Sequence, residues 1–496
     1  MKVHSAGLGA AALALALCAA ASAQALDYAS TLVTIKVTTQ SYDSYSPWRK
    51  RAPAQDEIQG CVIEGRRILT LAQPLTDQVL VEVTKHGSPR RYPAEVLLRD
   101  PVAGLALLGV PDNSFFDDLV PAPLSSPGPV HGELRAARWE AGGVLREFTA
   151  SLVKTTVDYW TPIGGTLAHF LSTDMDRGGS GEAVFVDGKL LGLAYRLEQA
   201  SKSLKVLSVE ATLRLLADLA DGSYGGYPST WEYAKGLEGD RDLKRYLGMG
   251  DEETGVLVTA IPPRMSGAGV LKVNDVILAI DGELIDDSGL YRSRDFGLLH
   301  YDSLIFLNHA PGDTLAVRVL RDGSRLDLRV PLLPLGEDSF LIPLTDPDTP
   351  PQYVVFGGLV FQELSRSYLQ GAWGNDWWRL ADTRLRHLYD AAGLFPSSER
   401  RRVVILNRVL PHAVNAGYQS ESNLVLESLG GTPVRDLQHL ESLLTSTTER
   451  FAVFNFAGKE RIVLDLKRAL GAEKEIMSLY GLPATANVAS ADGHGS

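Results

Sequence analysis

Short apolar runs separated by turn residues fill the chain from about Tyr28 to Leu219. Thr31-Leu-Val-Thr-Ile-Lys-Val37, Cys61-Val-Ile63, Arg67-Ile-Leu-Thr70, Gln78-Val-Leu-Val-Glu-Val83 and Leu105-Ala-Leu-Leu-Gly-Val110 are examples. Strands at this spacing, with no long helical pattern between them, predict an all-β unit over 28–221, built as a pair of barrels. Leu213, Leu215, Leu216 and Leu219 recur at helical spacing and predict a closing helix over Glu210 to Ala220.

Gly222 to Pro228 is a Gly/Pro-rich junction, and a second β-rich unit is expected over 226–334. It contains Gly255-Val-Leu-Val-Thr-Ala-Ile261, Leu271-Lys-Val-Asn-Asp-Val-Ile-Leu-Ala-Ile-Asp-Gly282 and a later pair of runs ending at Val330. Leu341 to Pro351 reads as a proline-rich linker, and a third unit is expected over 353–470. In that unit, residues 367–394 carry Trp377, Leu380, Leu385, Leu388 and Tyr389 at helical spacing, which predicts an amphipathic helical insertion. Trp373, Trp377 and Trp378 could form a partner-binding patch or pack on their own domain. Residues 483–496 are small and polar and read as a disordered tail.

The length of 496 residues fits about three domains. A net charge of −12 argues against nucleic acid as the main partner, with Arg400, Arg401 and Arg402 the best candidate for a local basic patch. Met1 to Ala23 reads as a secretory signal peptide, with Lys2 and His4 before an apolar stretch and Ala21-Ser22-Ala23 as a cleavage site. Export, most simply to a periplasm, follows as an expectation. Cleavage would leave only Cys61, so no intrachain disulfide could form, and that thiol is expected to be buried and inert. No cluster of His, Cys, Asp and Glu has metal-ligand spacing, and no phosphate-binding glycine loop is present, so no metal or other cofactor is expected.

One loop stands out for chemistry: Thr173-Asp-Met-Asp-Arg-Gly-Gly-Ser-Gly-Glu-Ala-Val184 presents Ser180 between glycines. Glycines allow left-handed backbone and close approach, and successive N–H groups in such a turn can converge on one oxygen. Asp174 and Asp176 read as loop surface charges rather than a catalytic pair.

The order of a barrel pair, the Gly65-Arg-Arg-Ile-Leu-Thr70 strand, Asp100-Pro-Val-Ala-Gly-Leu-Ala-Leu-Leu108, the Ser180 loop and two further modules resembles the Deg/HtrA serine proteases. The resemblance is greatest to the plant type with two PDZ domains. Ser46-Pro-Trp-Arg-Lys-Arg51 and Asp242-Leu-Lys-Arg-Tyr-Leu-Gly-Met249 also carry it, and it spans nearly the whole chain after Ala23. It implies a trypsin-like double β-barrel followed by two PDZ-like domains, with Val273-Asn-Asp-Val-Ile-Leu-Ala-Ile-Asp-Gly282 as a PDZ core strand in which asparagine replaces a glycine. It also implies homo-oligomers, trimers or larger.

The resemblance places the nucleophile at Ser180 and the oxyanion-hole N–H groups at Gly178 and Ser180. The base position holds Gln73, and the position that should orient the base holds Gly104. A primary amide cannot take the proton of a serine hydroxyl, and loss of the base costs about six orders of magnitude in kcat. Glu182 adds a negative charge beside the loop. His86, His131 and His169 are the histidines that could substitute, His169 being the nearest in sequence. The expectation is a pseudoprotease that binds C-terminal or unfolded peptide segments or scaffolds envelope partners; the alternative is a serine endopeptidase with a non-standard base. By resemblance, Tyr227, Pro228, Ser229, Thr230 and Trp231 would form the carboxylate-binding loop of the first PDZ-like domain, but without its usual glycine and followed by Glu232.

Overall fold

The computed structural model describes residues 26–161, 164–230, 233–336, 339–343, 350–390 and 395–488. The expected signal peptide lies outside them, as do Trp231, Glu232, residues 391–394 of the insertion and the tail from 489.

After a short helix, α1 (Tyr28–Thr31), come β1 (Leu32–Thr39), β2 (Ala54–Ile63), β3 (Arg67–Leu71), β4 (Gln78–Lys85), β5 (Tyr92–Asp100) and β6 (Leu105–Gly109), closed in the order β1-β2-β3-β6-β5-β4. The second barrel uses β7 (Leu134–Glu140), β8 (Val144–Thr161), β9 (Gly164–Thr173), β10 (Ala183–Val186), β11 (Lys189–Glu198) and β12 (Ser203–Ser208), in the order β10-β11-β12-β9-β8-β7. α2 (Val209–Asp218) follows, where the leucine spacing predicts a helix.

Side chains alternate across a strand. Ile58 and Val62 of β2, Ile68 of β3 and Leu108 of β6 therefore fill the first barrel. Their neighbours Cys61, Ile63, Leu69 and Leu107 turn outward, onto Ala137, Trp139, Ala183 and Phe185 of the second barrel. These strands are buried on both faces, which is why they read as continuous apolar runs rather than alternating ones. Full burial of a side chain such as Phe185 is worth about 1.5–3 kcal/mol. Cys61 belongs to this seam, and burial pushes its thiol pKa up, away from thiolate chemistry.

The second unit has β13 (Tyr233–Gly236), α3 (Arg241–Tyr246), β14 (Val256–Ala260), β15 (Val276–Ile280), β16 (Glu283–Leu284), β17 (Leu290–Ser293), β18 (Gly297–His300), α4 (Asp302–Asn308), β19 (Thr314–Arg321) and β20 (Ser324–Pro331). Its sheet runs β13-β14-β15-β19-β20, so β13 is an edge strand. Asn274, at the motif's glycine position, has φ +74°, a left-handed conformation that asparagine tolerates better than most residues. Asp275 beside it is buried and paired with Arg321 at 2.7 Å. The unit is docked on the second barrel: Phe306 of α4 enters the inter-barrel core, and Arg214 of α2 donates to the carbonyls of Phe306 and His309 at 2.6 and 2.8 Å.

The third unit contains β21 (Tyr353–Phe356), β22 (Leu359–Glu363), α5 (Arg366–Trp373), α6 (Trp377–Leu380), α7 (Thr383–Asp390), β23 (Val404–Val409), β24 (Ser422–Leu429), β25 (Thr432–Pro433), α8 (Leu437–Ser446), β26 (Phe451–Phe456), β27 (Arg461–Asp465), α9 (Leu466–Gly471), α10 (Glu473–Tyr480) and β28 (Ala486–Asn487). Three expectations are corrected here. The boundary at 470 falls short: Ile476 of α10 packs into this unit, and β28 pairs with β21, so residues 483–488 belong to the domain rather than to a disordered tail. Leu341 and Ile342 of the expected linker are buried against Leu369 and Val403. The insertion is three short helices rather than one, because Gly374 breaks the first with a φ of +73°. Trp373 and Trp377 pack on their own domain, while Trp378 is exposed.

The β1–β2 connection reaches this third unit. Trp48 meets Tyr353 edge-on at 5.6 Å, and Asn407 donates to the Ser44 carbonyl at 2.9 Å. The Ser-Pro-Trp-Arg stretch is therefore a docking segment.

Candidate active site and its remnants

Ser180 lies in the connection between β9 and β10, backed by the first barrel. Gln59 of β2 donates its backbone N–H to the Ser180 carbonyl at 2.8 Å. Its side chain is buried and bonds both backbone groups of Trp139, at 3.0 and 3.3 Å. Gly179 and Gly181 have φ of +91° and +93°. A Cβ at either would stand 2.6 Å from backbone, that of Arg196 or Gln59. Both glycines are thus required by conformation and by space, as the sequence suggested.

The Ser180 N–H, expected to face a developing oxyanion, is already taken. Glu182 Oε2 accepts the backbone N–H groups of Ser180 and Gly179, each at 2.8 Å. Gly178, the other expected donor position, lies beside the same group: a Cβ there would be 3.3 Å from Glu182 Oε1. Glu182 is 2% exposed, and its compensating cation is Arg138, also buried, with Nη1 3.7 Å from Oε1. Arg138 further pairs with Glu140 at 2.8 Å and Asp176 at 3.2 Å, and donates to the Arg177 carbonyl. One guanidinium therefore clamps both sides of the serine loop. Asp176 serves here as a structural ion-pair partner, while Asp174 accepts the Thr149 N–H at 3.0 Å.

Gln73 and Gly104, which the resemblance assigns to base and orienter, lie on adjoining loops: the Ala72 N–H donates to the Gly104 carbonyl at 2.9 Å. Gln73 opens a turn of 3-10 helix and is exposed. Among the described residues, neither its side chain nor the Ser180 hydroxyl has a hydrogen-bond partner. Gly104 has φ +74°, so this loop has a left-handed bend where an aspartate would be needed. The acid nearest in sequence, Asp100, turns away. Its carboxylate accepts the N–H groups of Val102 and Ala103 at 2.7 and 3.0 Å and the hydroxyl of Tyr224 in the junction. Burial raises its pKa.

Among the described residues, none of the three candidate histidines hydrogen-bonds Ser180. His86 contacts the Ala29 carbonyl at 3.0 Å and Asp118 at 3.1 Å. His131 is exposed. His169 is fully buried on β9 with Nδ1 2.9 Å from the Thr155 hydroxyl, and burial lowers its pKa to about 4. Such a histidine is a weak base held in a barrel wall.

Of the segment expected to bind a peptide terminus, Tyr227 is buried under the Arg214 guanidinium at 4.2 Å. Ser229 is also buried, its hydroxyl 3.1 Å from both the Ser266 hydroxyl and the Leu333 carbonyl, where it ties off the second unit. Pro228 and Thr230 line a cavity of 420 Å³ between that unit and the β8–β9 hairpin. Sequence reasoning missed Arg138 and Gln59, which lie far from Ser180 along the chain and carry no motif. It also missed Tyr159, whose hydroxyl crosses from the barrel to His300 and Asp302, 2.8 Å from each. The exposed aromatic residue in a hairpin was the only signal.

The PDZ domain family matches residues 342–488. Protease Do-like 4, mitochondrial, of Arabidopsis thaliana is 25% identical over 467 residues, covering 93% of this chain and 86% of that protein. Putative protease Do-like 3, mitochondrial, of the same plant is 26% identical over 472 residues, covering 92% and 80%. A structure described as HtrA-type protease AlgW with decapeptide is 16% identical, covers 62% of this chain and 97% of that one, and has a TM-score of 0.47. The homologues of this chain are Deg/HtrA-type proteases, and its fold is a trypsin-like barrel pair followed by PDZ-like domains.

Proposed function

We propose that this relative of the Deg/HtrA proteases is a pseudoprotease, which binds peptide or unfolded segments or scaffolds partner proteins. The observation that carries the reading is the buried Glu182 carboxylate on the N–H of Ser180. An oxyanion at this site would have to displace a carboxylate of the same charge from its donor, in addition to lacking a base. Gln73 and Gly104 support the same reading, since neither can accept, hold or return a proton. Peptide binding falls to the PDZ-like domains, whose mode of recognition is addition of an extended strand at a sheet edge. Export to a periplasm, from the Met1–Ala23 segment, and assembly into a homo-oligomer belong to the proposal.

A fluorophosphonate probe and a casein digest test it, each with wild type and Ser180→Ala. Equal, background-level signals are expected. Labelling or cleavage that disappears with Ser180→Ala would refute the pseudoprotease and favour an endopeptidase with another base.

A further inference from the structure

We propose that the cavity between the β8–β9 hairpin and the first PDZ-like domain recognises a lysine or arginine side chain of an extended peptide, rather than a peptide's terminal carboxylate. The proposal rests on the peptide-binding reading above and specifies its ligand.

The cavity measures 420 Å³, inside the range of about 300–1,000 Å³ typical of ligand sites. Ala234 and Gly236 of edge strand β13 form one wall, so a strand laid beside that edge would turn alternate side chains toward the interior. The opposite wall carries His300 and Asp302, at the start of α4. Among the described residues, no lysine or arginine lines the cavity. Among the described residues Asp302 supplies the lining carboxylate, 2.8 Å from the Tyr159 hydroxyl and 3.2 Å from His300 Nδ1. Ser288, also in the lining, donates to Glu238, which lies outside it. Of the neighbouring cations, Lys244 is paired with Asp287 at 2.8 Å and Lys235 with Asp240 at 3.8 Å.

Among the described lining residues, a terminal carboxylate placed here would face Asp302, with the His300 imidazole beside it. A guanidinium or ammonium finds Asp302 as counter-ion, in a lining that includes the aromatic side chains of Tyr159 and Tyr301. Its methylene stem finds Val256, Leu335 and Pro228. Because Tyr159 belongs to the barrel and Asp302 to the PDZ-like domain, the counter-ion is held by the contact between the two units.

The test uses the full chain and fluorescein-labelled peptides. One is Ser-Val-Thr-Arg-Val-Ser-Gly, blocked by the label and an amide. The second replaces arginine with citrulline, which keeps the shape and removes the charge. The third has no basic residue and ends in valine with a free carboxylate. The expected result is binding of the arginine peptide at least tenfold tighter than the citrulline peptide. Asp302→Asn should abolish that ratio, and Tyr159→Phe, which frees the carboxylate from its hydroxyl donor, should keep it. An arginine-to-citrulline ratio near one overturns the proposal. Binding of the free-carboxylate peptide alone overturns it while leaving the peptide-binding reading intact. No binding of any of the three overturns both. Near-ultraviolet circular dichroism of Asp302→Asn separates loss of the site from loss of the fold.

Discussion

The Glu182 carboxylate accepts the N–H of Ser180 at 2.8 Å, a negative charge seated on the donor that would stabilise a tetrahedral oxyanion in an active relative of this fold. The same carboxylate balances the buried Arg138 and shapes the turn. Glu182→Ala removes two backbone acceptors and part of that balance. A loss of about 3 kcal/mol is expected. Glu182→Gln, which keeps an acceptor oxygen, should lose less. Urea unfolding midpoints check both, and an unchanged midpoint for Glu182→Ala would refute the clamp.

Restoring the missing polar residues should not restore hydrolysis. Gln73→His with Gly104→Asp supplies both side chains, but Gly104 has φ +74°, where a non-glycine residue costs about 1–2 kcal/mol. Glu182 would still occupy the Ser180 N–H. Casein turnover by the double variant is expected to match Ser180→Ala within error; turnover clearly above that background would show that Glu182 yields to substrate.

His169 makes stability depend on pH. Its folded pKa, about 4, lies below the ordinary imidazole value of 6.5, because burial penalises the charged ring. The unfolded chain therefore binds the proton first. This contribution is intact above pH 6.5 and is lost as the pH falls toward 4, up to about 3 kcal/mol. His169→Gln, which has no imidazole to titrate, should lose correspondingly less stability between pH 7 and pH 4.5. Parallel pH–stability curves for the two proteins would contradict the assignment.

Tyr224→Phe deprives the buried Asp100 of its hydroxyl donor and unfastens the junction from the first barrel. Removing a hydrogen bond to a charged group costs about 1.5–3 kcal/mol. Limited proteolysis should then cut faster within 222–226, with the barrels themselves surviving. Unchanged cleavage kinetics would mean that Tyr227 and Arg214 hold the junction alone.

The sequence by itself determined the barrel pair, the PDZ-like modules and the glycine-flanked serine turn. Each is written in a short, local code. Runs such as Cys61-Val-Ile63 announce strands buried on both faces, and Gly179 and Gly181 announce a turn of positive φ. Gln73 and Gly104 were legible because strands on either side fix their places. Tertiary structure alone decided where the side chains point. Glu182 was visible as a nearby charge, but its seat on the Ser180 N–H depends on Arg138, one barrel strand away in space and far along the chain. Gln59 owes its role to a partner in the other barrel, and Tyr159 and the Ser44–Trp48 segment owe theirs to partners in other units. Local propensity reports backbone conformation; the pairing of buried charges and docked surfaces is set by long-range packing, to which no periodicity along the chain corresponds.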